Sequence, residues 1–172
     1  MDCDSMGLTR LDRQIERLLK LGMDVTCVLA GRRADEQLRH CRNIARVDMA
    51  FDDTPESLLG LTSNVKAGLT AIGRDTACFA LPVEIPCPAA PVWEFLKEGW
   101  RATGMEPSIS VVQATDAQGA PWHFGFPVLI TRQGHRHIMS LQGLTSMADK
   151  RLKYLHLSYN AAANLASDAK DL

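Results

Sequence analysis

The chain has 172 residues, 46% of them hydrophobic and 23% charged, which suits one globular domain, 1–172, with a substantial core and no need of disulfides or a structural metal. A net charge of −1 and a pI near 6.5 supply no broad basic field, so a nucleic-acid partner is not expected, and no apolar window of about 18 residues is present to span a membrane. Met1-Asp-Cys-Asp-Ser5 is not a secretory leader, and the five cysteines form an odd set without CxxC spacing, so a reducing cytoplasm is the expected compartment. Leu11, Ile15, Leu18 and Leu19 recur at helical spacing up to Gly22 and predict a helix over 8–21. A strand over 24–30 ends at Gly31, a helix follows over 34–42, and a short strand over 47–51 completes a β-α-β unit. Pro55 opens a helix with Leu61, Val65, Leu69 and Ile72 on one face.

The run Ala77 to Val83 is apolar throughout rather than alternating, the pattern of a strand covered on both faces of a parallel sheet. It delivers Glu84 between two prolines at the carboxyl end, where ligands of such sheets collect. Further along come a helix over 88–101, a strand over 108–114, a strand over 122–131 broken by Gly125 and Pro127, and a tail strand over 154–158 before an Ala-rich helix to Leu172. Helices of ten to fifteen residues between strands predict a three-layer α/β/α, Rossmann-like architecture with a mostly parallel sheet and right-handed crossovers.

Several residue groups have an ordinary explanation. Cys27 and Cys78 fall inside apolar strands and read as inert core thiols. Arg32, Arg33, Arg39, His40, Arg42 and Arg46 are interleaved with Asp35 and Glu36 and read as a solvated face. His135 and His137 are two apart and share a face only on a strand, with no third ligand at metal-site spacing, so they read as surface histidines. Glu84 has two readings at this level, an exposed turn carboxylate or a carboxylate at the edge of a ligand cleft. Met105, Met139 and Met147 leave room for a homodimer face.

The segment Gly60-Leu-Thr-Ser-Asn-Val-Lys-Ala-Gly68-Leu69 resembles the Gly-Met-Ser-Ser-Ser-(Leu/Val)-(Arg/Lys)-X-Gly-Leu segment of the molybdenum-cofactor cytidylyltransferase-like and guanylyltransferase-like nucleotidyltransferases. Ser5-Met-Gly-Leu-Thr-Arg10 is similar to the close of that family's glycine-rich loop, Leu81-Pro-Val-Glu-Ile-Pro86 resembles its metal segment, and Gly125-Phe-Pro-Val-Leu129 resembles its later Gly-His-Pro-Val. Leu141-Gln-Gly143 resembles the opening of its Leu-X-Gly-Asp-X-Gly.

The resemblance implies a GT-A-like fold and Mg²⁺-dependent transfer of a nucleoside monophosphate from CTP or GTP to a phosphorylated acceptor such as molybdopterin. Under it Glu84 is the metal ligand, Arg10 stands where a phosphate-contacting lysine is expected, Ser63 and Asn64 meet base or sugar, and Gly68 permits close helix packing. Lys66 has two readings, a phosphate contact or a solvated side chain. The chain departs from the pattern as well. The resemblance implies a strand and Gly-rich loop ahead of Met6-Gly7 where only Met1-Asp-Cys-Asp-Ser5 stands, while Phe126, Leu144 and Ala166 replace polar family residues. A degenerate member that binds a nucleotide or cofactor as an accessory or regulatory protein is therefore a second expectation.

Overall fold

Thr9 opens the first helix with a reciprocal cap, its hydroxyl accepting from the Asp12 amide at 3.1 Å while Asp12 Oδ2 accepts from the Thr9 amide at 2.9 Å. The computed structural model describes residues 7–31, 33–54, 61–73, 76–85, 87–102, 109–115, 121–140 and 152–157. Contacts divide the chain into two units, Met1–Arg74 with Gln142–Leu144, and Asp75–Leu141 with Thr145–Leu172.

In the first unit, helix α1 (Arg10–Lys20) buries Leu11 and Ile15. It ends as the Gly22 pattern predicts, with Gly22 at φ 72°, its amide on the Leu19 carbonyl and the Met23 amide on the Leu18 carbonyl. Strand β1 (Thr26–Ala30) pairs in parallel with β2 (Asp48–Asp52), in a register running from Thr26↔Asp48 to Ala30↔Asp52. Parallel neighbours need a crossover, and helix α2 (Arg33–His40) with the 3₁₀ turn Ile44–Arg46 supplies it. Helix α3 (Leu61–Ile72) lies against both strands. The predicted β-α-β unit is thus present, while the predicted helix start at Pro55 lies outside the described residues.

In the second unit, β3 (Cys78–Ala80), β4 (Ile109–Thr115), β5 (Pro121–Ile130) and β6 (Leu152–Leu157) form one sheet in the order β3-β5-β4-β6. β5 runs antiparallel to both β3 and β4, and β4 runs parallel to β6. This corrects the expectation of a mostly parallel sheet, since among the described residues this sheet is mixed. An all-apolar run signals cover on both faces and says nothing of strand direction. β3 is also shorter than the predicted strand because Pro82 offers no ladder donor and begins a turn in which the Ile85 amide bonds the Pro82 carbonyl at 3.1 Å. Gly125 and Pro127 do not end β5. Between Val111↔Val128 and Gln113↔Phe124 the register advances two residues on β4 and four on β5, so the irregularity falls across 125–127 as a bulge.

Helix α4 (Ala90–Ala102) buries Val92, Trp93 and Leu96. The Trp93 indole donates to the Pro88 carbonyl at 2.9 Å and meets the Phe79 ring edge-on at 5.0 Å. Helix α5 (Arg132–Ser140), absent from the sequence reading, follows β5 directly and starts at Thr131, whose hydroxyl accepts from the Gly134 amide at 3.2 Å. His135 and His137 therefore lie on a helix and are buried, 3% and 9% exposed, which corrects their reading as surface residues. The predicted C-terminal helix lies outside the described residues. No helix among the described residues is long and apolar enough to cross a membrane.

Candidate functional site

Two carboxylates in the first unit are almost closed to water, and their surroundings differ. Asp12, 0% exposed, has every lobe engaged: Oδ2 takes the Thr9 amide and hydroxyl at 2.9 and 2.7 Å, and Oδ1 takes the Asn43 amide at 2.7 Å and the Cys41 thiol at 3.2 Å. Burial raises its affinity for a proton, but these donors outweigh burial and hold the carboxyl below its ordinary value. Asp12 is a clasp between the start of α1 and the segment that follows α2.

Asp52, 8% exposed, closes β2. Its Oδ1 accepts from the Thr54 amide at 3.0 Å, and the hydroxyls of Thr54 and Ser63 donate to the same carboxylate. Burial again favours the neutral form, and again the donors prevail, so the carboxyl sits below its ordinary value and is charged at neutral pH. Its Oδ2 is different, being buried with no hydrogen-bond partner, and the Oδ1 of Asn64 is in the same state.

The packing of α3 puts Asp52 and Asn64 at one level along the strands. A Cβ on Gly68 would stand 2.9 Å from Val28 Cγ2, so Gly68 is level with Val28 and with Ala50, its partner in the register. The Ser63 contact with Asp52 lies toward the start of α3 and the end of β2, so helix and strands run in opposite directions. Four helical residues rise about 6 Å, and two strand residues rise about 6.6 Å. Asn64, four residues before Gly68, accordingly stands level with the Ala30↔Asp52 pair. This is the carboxyl end of a parallel pair beneath the first turns of a helix, where α/β sheets hold ligands.

The structure thus gathers Ser63 and Asn64 of the predicted site and places Gly68 one turn below, where α3 packs tightly on Val28 of β1. Lys66 is half-buried on the same helix. Arg10 is the exposed first residue of α1. Glu84 belongs to the second unit, exposed in the turn between Pro82 and Ile85. Gly60, Phe126, Leu144 and Ala166 have no described side chains or lie outside the described residues. Asp52 and Thr54 were missed by the sequence reading. Their signal was available, since Asp52-Asp-Thr54 directly follows the second strand of a parallel unit. Among the described residues no group of three or more His, Cys, Asp or Glu is placed to hold a metal ion.

No family model matches the chain, and no curated protein matches it. Among solved structures it is similar to the crystal structure of Rv0371c from Mycobacterium tuberculosis H37Rv, at 14% identity and a TM-score of 0.58 over 91% of this chain and 83% of that one. It is also similar to the Rv0371c complex with manganese, at 14% identity and a TM-score of 0.54 over 90% of this chain and 86% of that one. At that identity the likeness concerns the mixed α/β fold.

Proposed function

We propose that this chain is a nucleotidyltransferase-like protein of the molybdenum-cofactor type on a three-layer α/β/α fold, binding a nucleoside triphosphate at the carboxyl ends of β1 and β2. The observation that carries the reading is the pair of buried, donorless oxygens, Asp52 Oδ2 and Asn64 Oδ1, at the ligand-binding end of a parallel unit. A buried acceptor left open costs about 1–3 kcal/mol, and a ligand bringing N–H or O–H groups removes that cost. The motif order from Met6-Gly7 to Leu141-Gln-Gly143 supports the same family.

In this reading Ser63 and Asn64 meet base or sugar, Arg10 and Lys66 meet phosphate, and Glu84 supplies an oxygen to the divalent ion, which when bound neutralises the phosphates. An acceptor phosphate oxygen bonds the α-phosphorus of CTP or GTP, the bond to the β-phosphate breaks, and pyrophosphate leaves. Magnesium is the proposed ion. The manganese complex of Rv0371c supports a divalent cation on this fold. The free state of Cys27, Cys41, Cys78 and Cys87 suits the proposed cytoplasmic location.

Titrating the purified protein with CTP, GTP and ATP, with and without Mg²⁺, tests this by thermal shift. A Mg²⁺-dependent stabilisation by one nucleotide, lost in Glu84→Ala, supports it, and no stabilisation by any of them sinks it. The exposure of both Arg10 and Glu84 favours a second reading, a non-catalytic relative that keeps the fold and works as an accessory protein. Nucleotide binding without pyrophosphate release would select that reading.

A further inference from the structure

Among the described residues β2 has one neighbour, the parallel β1, and its far edge is open. The Asp48 amide bonds the Val25 carbonyl at 3.1 Å, which aims the main-chain groups of Asp48, Ala50 and Asp52 at β1. By alternation the N–H and C=O of Met49 and Phe51 point to the open edge. Helix α3 takes the Ala50 face, since Gly68 packs on Val28, the register partner of Ala50. Met49 and Phe51 occupy the other face and are 44% and 52% exposed. Their partners on β1, Cys27 and Leu29, are buried, so the cover over that face ends at β1.

An edge that stays single is normally blunted by a lysine, a proline or a bulge. The segment Asp48-Met-Ala-Phe-Asp52 has none of these, and its register with β1 is unbroken. Charge along this stretch is ordered: the exposed Arg42 and Arg46 precede β2, and the exposed Asp53 follows it. A basic, apolar, acidic order is its own complement when reversed. We infer that β2 pairs antiparallel with β2 of a second copy of this chain across a two-fold axis, joining the two parallel pairs into one sheet.

Outward-facing residues must oppose outward-facing residues, and the registers that satisfy this differ in what they bring together. With Ala50 on the axis, Asp48 faces Asp52 of the other copy, and like charges directly opposite are unfavourable. With Phe51 on the axis, Met49 faces Asp53. With Met49 on the axis, Met49 meets itself, Phe51 packs on Val47, Asp48 faces Ala50, and Arg46 comes level with the Asp52-Asp53 end. This third arrangement sets apolar against apolar and basic against acidic. In it the Met49 amide donates to the Met49 carbonyl of the other copy and the Phe51 amide to the Val47 carbonyl, the Val47 amide being already on Ile44. So short a strand buries less than a standard interface, and the dimer is accordingly weak and concentration-dependent.

Sedimentation velocity of the whole chain over a concentration series should show a reversible monomer–dimer equilibrium. Phe51→Lys should weaken it by about 10-fold or more. Arg46→Glu and Asp53→Arg should each weaken it alone and restore it when mixed, because in the mixed pair every acidic position meets a basic one. Met49→Cys should form an intermolecular disulfide under mild oxidation, since opposed Cα atoms about 5.5 Å apart suit one. Phe51→Cys should not. A monomer at every concentration overturns the pairing and leaves the edge to a strand of another protein. A dimer indifferent to Phe51→Lys places association elsewhere and overturns it too, as does cross-linking of Phe51→Cys in place of Met49→Cys. None of these residues belongs to the proposed nucleotide site, so the pairing stands or falls apart from that reading.

Discussion

Gly68 of α3 and Val28 of β1 approach so closely that a Cβ on the glycine would lie 2.9 Å from Val28 Cγ2. Real Cβ atoms do not sit that near a neighbour, and the clashing methyl belongs to a short β-branched side chain with little room to turn. Gly68→Ala should therefore destabilise the protein by about 1–3 kcal/mol by overpacking, although alanine is the better helix former by up to about 1 kcal/mol. Chemical denaturation should show Val28→Ala recovering part of that loss in the double variant. Equal or greater stability of Gly68→Ala alone would mean that α3 does not rest on β1 at this point.

Asp12 should prove structural. Its four donors come from Thr9, Cys41 and Asn43, so Asp12→Ala strands several buried N–H and O–H groups and should cost about 2–4 kcal/mol. Asp12→Asn should cost less, since one oxygen still accepts. The folded carboxyls of Asp12 and Asp52 both lie below their unfolded value, so both contribute stability above about pH 4 that disappears as pH falls through their folded values. Urea midpoints measured from pH 7 down to pH 2 should fall, and the fall should shrink in Asp12→Asn. A midpoint indifferent to acid would contradict the account.

The thiols work in the opposite direction. Burial pushes Cys27 and Cys78 up to about 11, and burial with the neighbouring Asp12 carboxylate pushes Cys41 up to about 12, from an ordinary 9.0. The folded state holds these protons more tightly than the unfolded chain, so the associated stability is complete below pH 9 and is lost as pH rises through 11 to 12. Reaction of the native protein with a thiol reagent at pH 8 should be slow at these three positions and become fast only in denaturant. Rapid native labelling of Cys41 would show that its contact with Asp12 does not form.

The elements that the sequence disclosed are those whose signals are local. Gly22 marks the end of α1, Gly31 and Gly73 take left-handed backbone after β1 and α3, and the β1-α2-β2 crossover follows from a period change within 24–51. Strand direction in the second sheet was illegible, because the run through Cys78 is equally apolar whether its neighbour β5 runs with it or against it. Helix α5 was hidden by composition, since Gly134, His135 and His137 stand where an apolar stripe is sought, and burial of two imidazoles arises from tertiary packing. Within the candidate site, Ser63 and Asn64 were proposed from a motif. Asp52 was not, since its significance lies in an oxygen without a donor, and only coordinates reveal that.

His135 separates a structural histidine from a functional one. It is 3% exposed on α5, its amide bonds the Thr131 carbonyl at 2.8 Å, and its Nδ1 has no partner although buried. A polar atom kept in that state costs stability unless something repays it, whereas an apolar side chain of similar size carries no such penalty. His135→Leu should accordingly leave the protein as stable or raise its melting temperature, by about 2–4 °C for each kcal/mol recovered. His135→Ala instead opens a cavity among buried neighbours such as Ile138, and should lower the melting temperature. Scanning calorimetry on the three proteins decides the matter: a large loss in His135→Leu would show that the imidazole makes a contact a hydrocarbon cannot replace, and a retained fold with lost nucleotide binding would move His135 from the core to the site.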